Sequence, residues 1–346
     1  MLAREKSCPM SRMQECRNVV WSAAVAAVVV AGGATPASSE TTLSAVSALP
    51  KTVDLTRSFL DNLVGPANRA NRGTVRIRYL GGPNYIPSRK AWSALKRGRI
   101  GILHSPADHY IAAVPEGYAL TLSQKTPAEL RANGGFALLS KIWAEKAGAR
   151  LLAWGESATS HNTYLGKRPG RTPDGKLTLK GLRMRVTGIY RPLFTRLGAQ
   201  TVGIKPVEIS STMRNGSVDG FGWPDAGLVP LGVVKVVKFR IDPGFYRSNM
   251  SVTVNLKKWN ELSKDAKAAL EREAIRYERD SIAYMKAIRD REEKALVDGG
   301  MRIIRLEGEA AKHYLDAANS AVWQALKKRS KNADALRKLV FPDFDG

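Results

Sequence analysis

Cysteine is nearly absent from this chain of 346 residues. It has two, Cys8 and Cys16, both ahead of residue 18. Beyond the head there is therefore no disulfide, no thiol nucleophile and no cysteine metal site. Also missing are a Gly-x-Ser-x-Gly elbow, a phosphate loop and an HExxH pair. The four histidines are His104, His109, His161 and His313. None is spaced as a pair of ligands on one helix face, so zinc is not expected and each reads as a surface or packing residue. Acidic residues are few, 31 against 55 Lys and Arg, and no two are marked by spacing as an acid–base pair. Neither catalysis nor a cofactor is expected. A spanning helix needs about 20 apolar residues. The best later run, Leu228 to Val237, is broken by Pro230 and Lys235.

The N-terminus has a distinct pattern. Residues 1–18 carry Arg4, Lys6, Arg12 and Arg17 against Glu5 and Glu15, an apolar run follows from Val19 to Ala31, and small residues lead to Ala37. A basic head, a short apolar run and a small-residue exit describe a signal peptide over 1–37, cut near Ala37. Neither cysteine ends the apolar run, where a lipid anchor would need one, so a free periplasmic protein is expected. The formal net charge is +24. Losing 4 basic and 2 acidic residues with the head leaves +22, a field that favours anionic partners. Basic residues are spread along the chain instead of clustering with aromatics, which argues against nucleic acid.

Residues 41–50 are rich in Ser, Thr and Ala and read as a flexible lead-in. Leu55 to Asn68 has helical spacing, Thr74 to Tyr79 alternates as a strand does, Ser88 to Arg97 is a helix closed by Gly98, and Ile100 to Leu103 is a strand. The same grammar returns in strand Leu182 to Val186, helix Arg191 to Leu197, helix Val207 to Asn215 closed by Gly216, and strand Val218 to Phe221. Helices alternating with strands imply α/β lobes with largely parallel sheets. Ser263 to Val297 has no Gly or Pro. Its apolar stripe is Ala274, Ile275, Ile282, Met285 and Ile288, with opposite charges four apart at Arg276/Asp280, Lys286/Asp290 and Arg289/Glu293. At 1.5 Å per residue that helix is about 50 Å long, more than one small lobe needs, so it reads as a bridge between lobes. Met301 to Leu306 is a strand and Glu309 to Lys328 a helix.

Arg183 and Arg185 lie two apart on a strand and share a face. Arg183 reads as solvated. Arg185 is nearer the strand end, where ligands bind in open α/β sheets, and a guanidinium there grips a carboxylate with two parallel hydrogen bonds. Trp223-Pro224-Asp225 follows a strand, and Trp223 suits either the core or a pocket wall.

Lys180 to Val186, Leu197-Gly198-Ala199, Gly216 to Gly220, Val254 to Ser263 and Gly299-Gly300-Met301 together resemble the signature of TRAP-transporter solute-binding proteins of the C4-dicarboxylate-binding type. The resemblance runs from about residue 55 to 325. It implies a two-lobed periplasmic binding protein fold with a hinge and a long lobe-crossing helix. Lobe I then takes 41–160 with about 250–275, lobe II takes 161–249 with about 285–330, and 263–297 bridges them. It also implies closure around one organic acid and delivery to integral membrane permease subunits. The carboxylate-gripping arginine of the family maps onto Arg185, and a ligand-contacting asparagine maps near Asn249. Gly222 to Asp225 match a ligand-facing loop. Many relatives carry a second arginine in the stretch matching Gly155 to Asn162. Here that stretch has none, which leaves a monocarboxylate as open as a dicarboxylate, with Asn162 and Asp225 addressing its polar groups. Tyr85, in the loop Gly81 to Tyr85, is expected either in a simple turn or in a lid. Two other readings fit less well. An exported enzyme would need a nucleophile or metal constellation that is not found. A sensory binding protein would share every feature and differ only in its membrane partner.

Overall fold

The computed structural model describes residues 40–342. The expected signal peptide, its cut near Ala37, and Cys8 and Cys16 lie outside these residues. The chain first builds β1 (Thr41–Ser47), a helix running from α1 (Asp54–Phe59) through one π turn into α2 (Gly65–Ala70), β2 (Val75–Gly81), α3 (Ser88–Lys96), β3 (Ile102–Pro106), α4 (Gly117–Leu122), α5 (Pro127–Ala132), α6 (Gly135–Ala147) and β4 (Ala149–Trp154). It then makes β5 (Ser160–Leu165), a short ribbon of β6 (Gly170–Arg171) and β7 (Leu177–Thr178), β8 (Arg183–Arg185), α7 (Arg191–Arg196), β9 (Gln200–Val202), α8 (Ile209–Arg214), β10 (Gly220–Pro224) and β11 (Phe239–Arg247). It ends with β12 (Met250–Asn255), α9 (Leu256–Glu261), α10 (Lys264–Asp298), β13 (Arg302–Arg305), α11 (Gly308–Lys327) and α12 (Ala333–Val340).

Two sheets result, ordered β2-β1-β3-β12-β4 and β13-β11-β5-β10-β8-β9. They are the cores of two lobes. The sheets are mixed, where the sequence pattern suggested mainly parallel pairing. β1 is parallel to β2 and β3, but β12 runs antiparallel to β3 and β4. In the second sheet β5 runs antiparallel to β10 and β11. The reason is connectivity. β12 and β5 are the first strands after each crossing between lobes, and they enter the new sheet from the hinge end.

Residues 41–47 are a strand, which corrects the expected lead-in. Leu43 and Ala45 pack into one core layer and Val46 into the other. β1 is flanked on both edges and covered on both faces, so small side chains suit it, and its Ser/Ala content signals tight packing instead of freedom. The two helix–glycine–strand units are confirmed in detail: Gly98 after α3 and Gly216 after α8 both have φ of +71°, the left-handed conformation that favours glycine at a helix end.

α10 ties the lobes together. Ser263 caps it by accepting from the Ala266 amide at 3.1 Å. Its first half buries Ala266, Leu270, Ala274 and Tyr277 against the first sheet, and its second half carries Leu296 into the core of the second. Ile275, expected in the apolar stripe, is instead 51% exposed. Arg276–Asp280 and Lys286–Asp290 pair as expected. Arg289 and Glu293 do not pair with each other. Both turn inward, Glu293 to Arg240 at 2.7 Å and Arg289 to the Ala158 carbonyl at 2.7 Å, because β11 and the crossing segment offer buried partners.

Two crossing segments run side by side. The Gly155 amide donates to the Met250 carbonyl at 3.0 Å, Ser248 to Thr159 at 2.9 Å, and the Trp154 indole to the Ser248 carbonyl at 2.7 Å. Beside them Glu156 is fully buried in the left-handed region, φ 52°. Its carboxylate accepts from Tyr277 Oη at 2.7 Å and its amide donates to Ser281 Oγ at 3.1 Å. A Cβ on Gly155 would stand 2.1 Å from Tyr277 Oη. Gly155→Ala is therefore expected to destabilise the protein by about 1–3 kcal/mol, the usual cost of overpacking, measured as a lower midpoint in urea unfolding.

Candidate functional site

The three strands β8, β10 and β5 are adjacent in the second sheet, and their register decides which side chains share a face. Arg185 stands beside Phe221, and Trp223 is opposite Asn162. Alternation along each strand then puts Arg185, Phe221, Trp223, Asn162 and Tyr164 on one face. Met184 and Leu165 point the other way, into the core between lobe II and α11.

Arg185 is 3% exposed. Its Nε donates to the Ile204 carbonyl at 2.9 Å, while Nη1 is buried with no partner. The guanidinium carbon lies 5.5 Å from the centre of the Trp223 ring, within cation–π range. No carboxylate is within ion-pair distance of it among the described residues. Burial accordingly pulls its pKa below the usual arginine value, opposed by the nearby Tyr190. Arg183, two residues earlier, is exposed and held by the Gly216 carbonyl, as its solvated reading required.

Asn162 is oriented without ambiguity. Its amide nitrogen donates to the Ile241 carbonyl at 3.1 Å and to Asp242 Oδ1 at 3.0 Å. Both partners are acceptors, so the other end of the amide is Oδ1, which is buried and unpartnered. Trp223 and Pro224 close β10, where the sequence pattern placed them just after it. The Trp223 indole N–H has no partner. Asp225 follows, its amide bonded to the Ser160 carbonyl at 2.7 Å. One carboxylate oxygen lies 3.6 Å from Arg289 of α10, and the other is unpartnered. Burial raises this carboxyl to about 7, against the pull of Arg289.

These unmade hydrogen bonds are concentrated. Twelve buried side-chain atoms lack a partner among the described residues, and seven belong to Ser157, Thr159, Asn162, Tyr164, Arg185, Trp223 and Asp225. Buried polar atoms are rarely left unpaired, and this cluster at one end of a sheet, beside the crossing segments, is the candidate site. The sequence pointed to four of the seven. It does not mark Ser157, Thr159 or Tyr164, since serine and threonine are ordinary in connecting segments and a tyrosine inside a strand reads as core.

The other expected residues are placed differently. Asn249 is buried at the second crossing. Its amide donates to Thr121 Oγ1 at 2.7 Å and its carbonyl accepts from Ala107 at 3.1 Å, so it fastens the hinge to α4. Tyr85 is 53% exposed on the loop after β2, its amide bonded to Gly82 in a local turn. His161 is a packing residue, Nδ1 2.8 Å from Tyr190 Oη, and burial depresses it to about 4. A separate groove lined by Phe136, Arg150, Glu271 and Ile275 lies on the first sheet and α10, apart from these groups.

Two lobes on two mixed sheets, two paired crossings, a bridging helix and a buried cationic end to one sheet are the architecture of a two-lobed binding protein. The chain belongs to the bacterial extracellular solute-binding protein family 7, whose model matches residues 60–329. It is similar to a monocarboxylate 2-oxoacid-binding periplasmic protein of Nostoc, 24% identical over 287 residues, 78% of this chain and 77% of the relative. Its fold matches a TRAP transporter solute-binding protein from Bordetella bronchiseptica with calcium and picolinate bound. That match has a TM-score of 0.72 and 21% identity, over 88% of this chain and 93% of the other. A Colwellia psychrerythraea TRAP solute-binding protein with calcium and pyruvate matches with a TM-score of 0.71 and 16% identity, over 87% and 93%.

Asp225 and His161 should leave opposite marks on stability. The raised Asp225 contributes stability that is complete below about pH 4 and lost as pH rises through about 7. The depressed His161 contributes stability present above its ordinary 6.5 and lost as pH falls through about 4. Melting temperature against pH is expected to lose its decline between pH 4 and 7 in Asp225→Asn, relative to the unmutated protein, and to lose its acid-side fall in His161→Gln.

Proposed function

We propose that this protein captures a small organic acid in the periplasm and hands it to the membrane subunits of a TRAP transporter, with Arg185 gripping the carboxylate. The observation that carries the reading is the buried guanidinium with one donor nitrogen unused and no counter-charge. Taking such a charge out of water costs several kcal/mol, and an arriving carboxylate offsets that cost. Family membership supports solute binding as the general role. The Nostoc relative and the acids held by the two structural neighbours support a carboxylate as the solute. The head of residues 1–37 supplies export, and cleavage near Ala37 releases the protein. No helix among the described residues is long and apolar enough to cross a membrane.

In this reading Trp223 is the wall against which the guanidinium lies, and Asn162 and Asp225 meet the far end of the solute. Asn249 sets the hinge, and Tyr85 is part of a loop that closes from lobe I. The bridging helix and the two crossings let the lobes move as bodies, with lobe I at 41–160 and lobe II at 161–249. Calcium accompanies the acid in both neighbours, but the residues here do not suit it. Calcium takes 6–8 oxygen ligands. No three His, Cys, Asp or Glu gather to hold a metal among the described residues, and the carboxylate at this place, Asp225, faces Arg289.

Arg185→Ala is expected to weaken acid binding by about 2–5 kcal/mol, the usual cost of removing one partner of a buried charged contact. Arg185→Lys should recover only part, having lost the bidentate fork. Thermal-shift screening of organic acids followed by calorimetry measures both. Stabilisation by neutral sugars or peptides and not by acids would remove the proposal. Tyr85→Ala is expected to speed solute release a few-fold, read by stopped-flow, with the equilibrium fold unchanged.

A further inference from the structure

The unpaired atoms differ in what they ask of a solute. Arg185 Nη1 and the Trp223 indole N–H are donors and need an acceptor. Asn162 Oδ1 and the free oxygen of Asp225, when that group is ionised, are acceptors and need a donor. The Asn162 assignment is firm because its nitrogen already serves two acceptors. Pyruvate and other simple 2-oxo acids offer only acceptors once ionised, and so do unsubstituted dicarboxylates. Either would leave Asn162 Oδ1 buried and unmet, at the cost that attends a lost hydrogen bond. Water or a cation are the other ways to satisfy it, and the donor set has already argued against calcium.

Placement adds a second constraint. Arg185 is on β8 and Asn162 on β5, with β10 between them. Two strand spacings are about 10 Å, and the Arg185 guanidinium leans over the strand between, 5.5 Å from the Trp223 ring. The charges agree with a single anionic end. One unpaired cation stands at β8. At the other end Asp225 faces Arg289 at 3.6 Å, and Arg240, on that face, is already committed to Asp242 at 2.9 and 3.0 Å and to Glu293.

We propose that the solute is a hydroxylated monocarboxylate of several carbons, held by its carboxylate at Arg185 and by hydroxyl donors at Asn162 and Asp225, without a divalent cation. This rests on the acid-capture reading above. The hydroxyls of Ser157, Thr159 and Tyr164, each also without a partner, both donate and accept and suit a solute with more than one hydroxyl.

The test is calorimetry on the purified, ligand-stripped protein with matched acids, in EDTA and again in calcium chloride. The panel is D-gluconate, D-galactonate, D-glucuronate and D-galacturonate against hexanoate, with lactate against pyruvate. At least one six-carbon hydroxy acid is expected to bind 100-fold or more tighter than hexanoate and pyruvate, with affinity changed less than two-fold by calcium. Asn162→Ala and Asp225→Ala should each narrow the ratio between that hydroxy acid and hexanoate by ten-fold or more. Hexanoate serves as the control for an intact Arg185 grip, and the comparison on unmutated protein stands even if a variant fails to fold. The inference is overturned if pyruvate or hexanoate equals every hydroxy acid, or if tight binding of any acid requires calcium. Those outcomes leave acid capture standing. Failure of every acid, or an Arg185→Ala variant that binds as well as the unmutated protein, would instead remove the reading beneath it.

Discussion

A cation sits inside lobe II with nothing of opposite sign to answer it. Several other buried charges are matched: Glu278 with Arg131 at 2.7 Å, Glu116 with Lys146, and Arg240 with Asp242 and Glu293. Arg185 has one backbone carbonyl and the face of an indole. The rest of lobe II is arranged so that this is tolerable. The indole face offers its negative quadrupole, the Ile204 carbonyl takes Nε, and β8 is pinned between β9 and β10 so that the side chain has few alternatives. A site that holds its charge unpaid is preorganised. The reorganisation that a solvated arginine would need on meeting an anion has been done in folding.

The hinge shows the opposite economy. At Glu156 itself the polar groups are answered. Tyr277 and Ser281 reach it from α10, His104 Nε2 is 3.4 Å from its second oxygen, and Ser47 Oγ is 3.1 Å from His104 Nδ1. His104 also stacks on Phe59, ring centres 4.5 Å apart. This chain of contacts fixes the end of the first crossing to β1, β3 and α10. The unpaired atoms begin at the next residue, Ser157. The boundary between satisfied and unsatisfied polar groups is one residue wide.

Much of this was legible in the amino-acid order. The long helix, the paired helix–glycine–strand units and Arg185 near a strand end follow from spacing and from what glycine and arginine do. What failed had physical causes. β1 looked like a tail because small residues in a doubly covered strand have the composition of a linker. Sheet direction was misjudged because the crossings invert the entering strands, and no local pattern records that. The hydroxyls of Ser157 and Thr159 carried no signal, since serine and threonine are ordinary in turns. Ile275 fits a helical stripe by spacing, but the helix turns that face outward at the groove beside Arg150.

β1 has a consequence for how the molecule comes into being. It begins the described chain yet lies second in its sheet, and β12, the strand that joins β3 to β4, is supplied by residues 250–255. Lobe I is therefore unfinished until some 200 further residues have arrived. Assembly is dominated by contacts distant along the polymer, which slows it. A chain emerging from its N-terminal end stays open and threadable for most of its length, a property suited to passage through a narrow channel before the architecture locks.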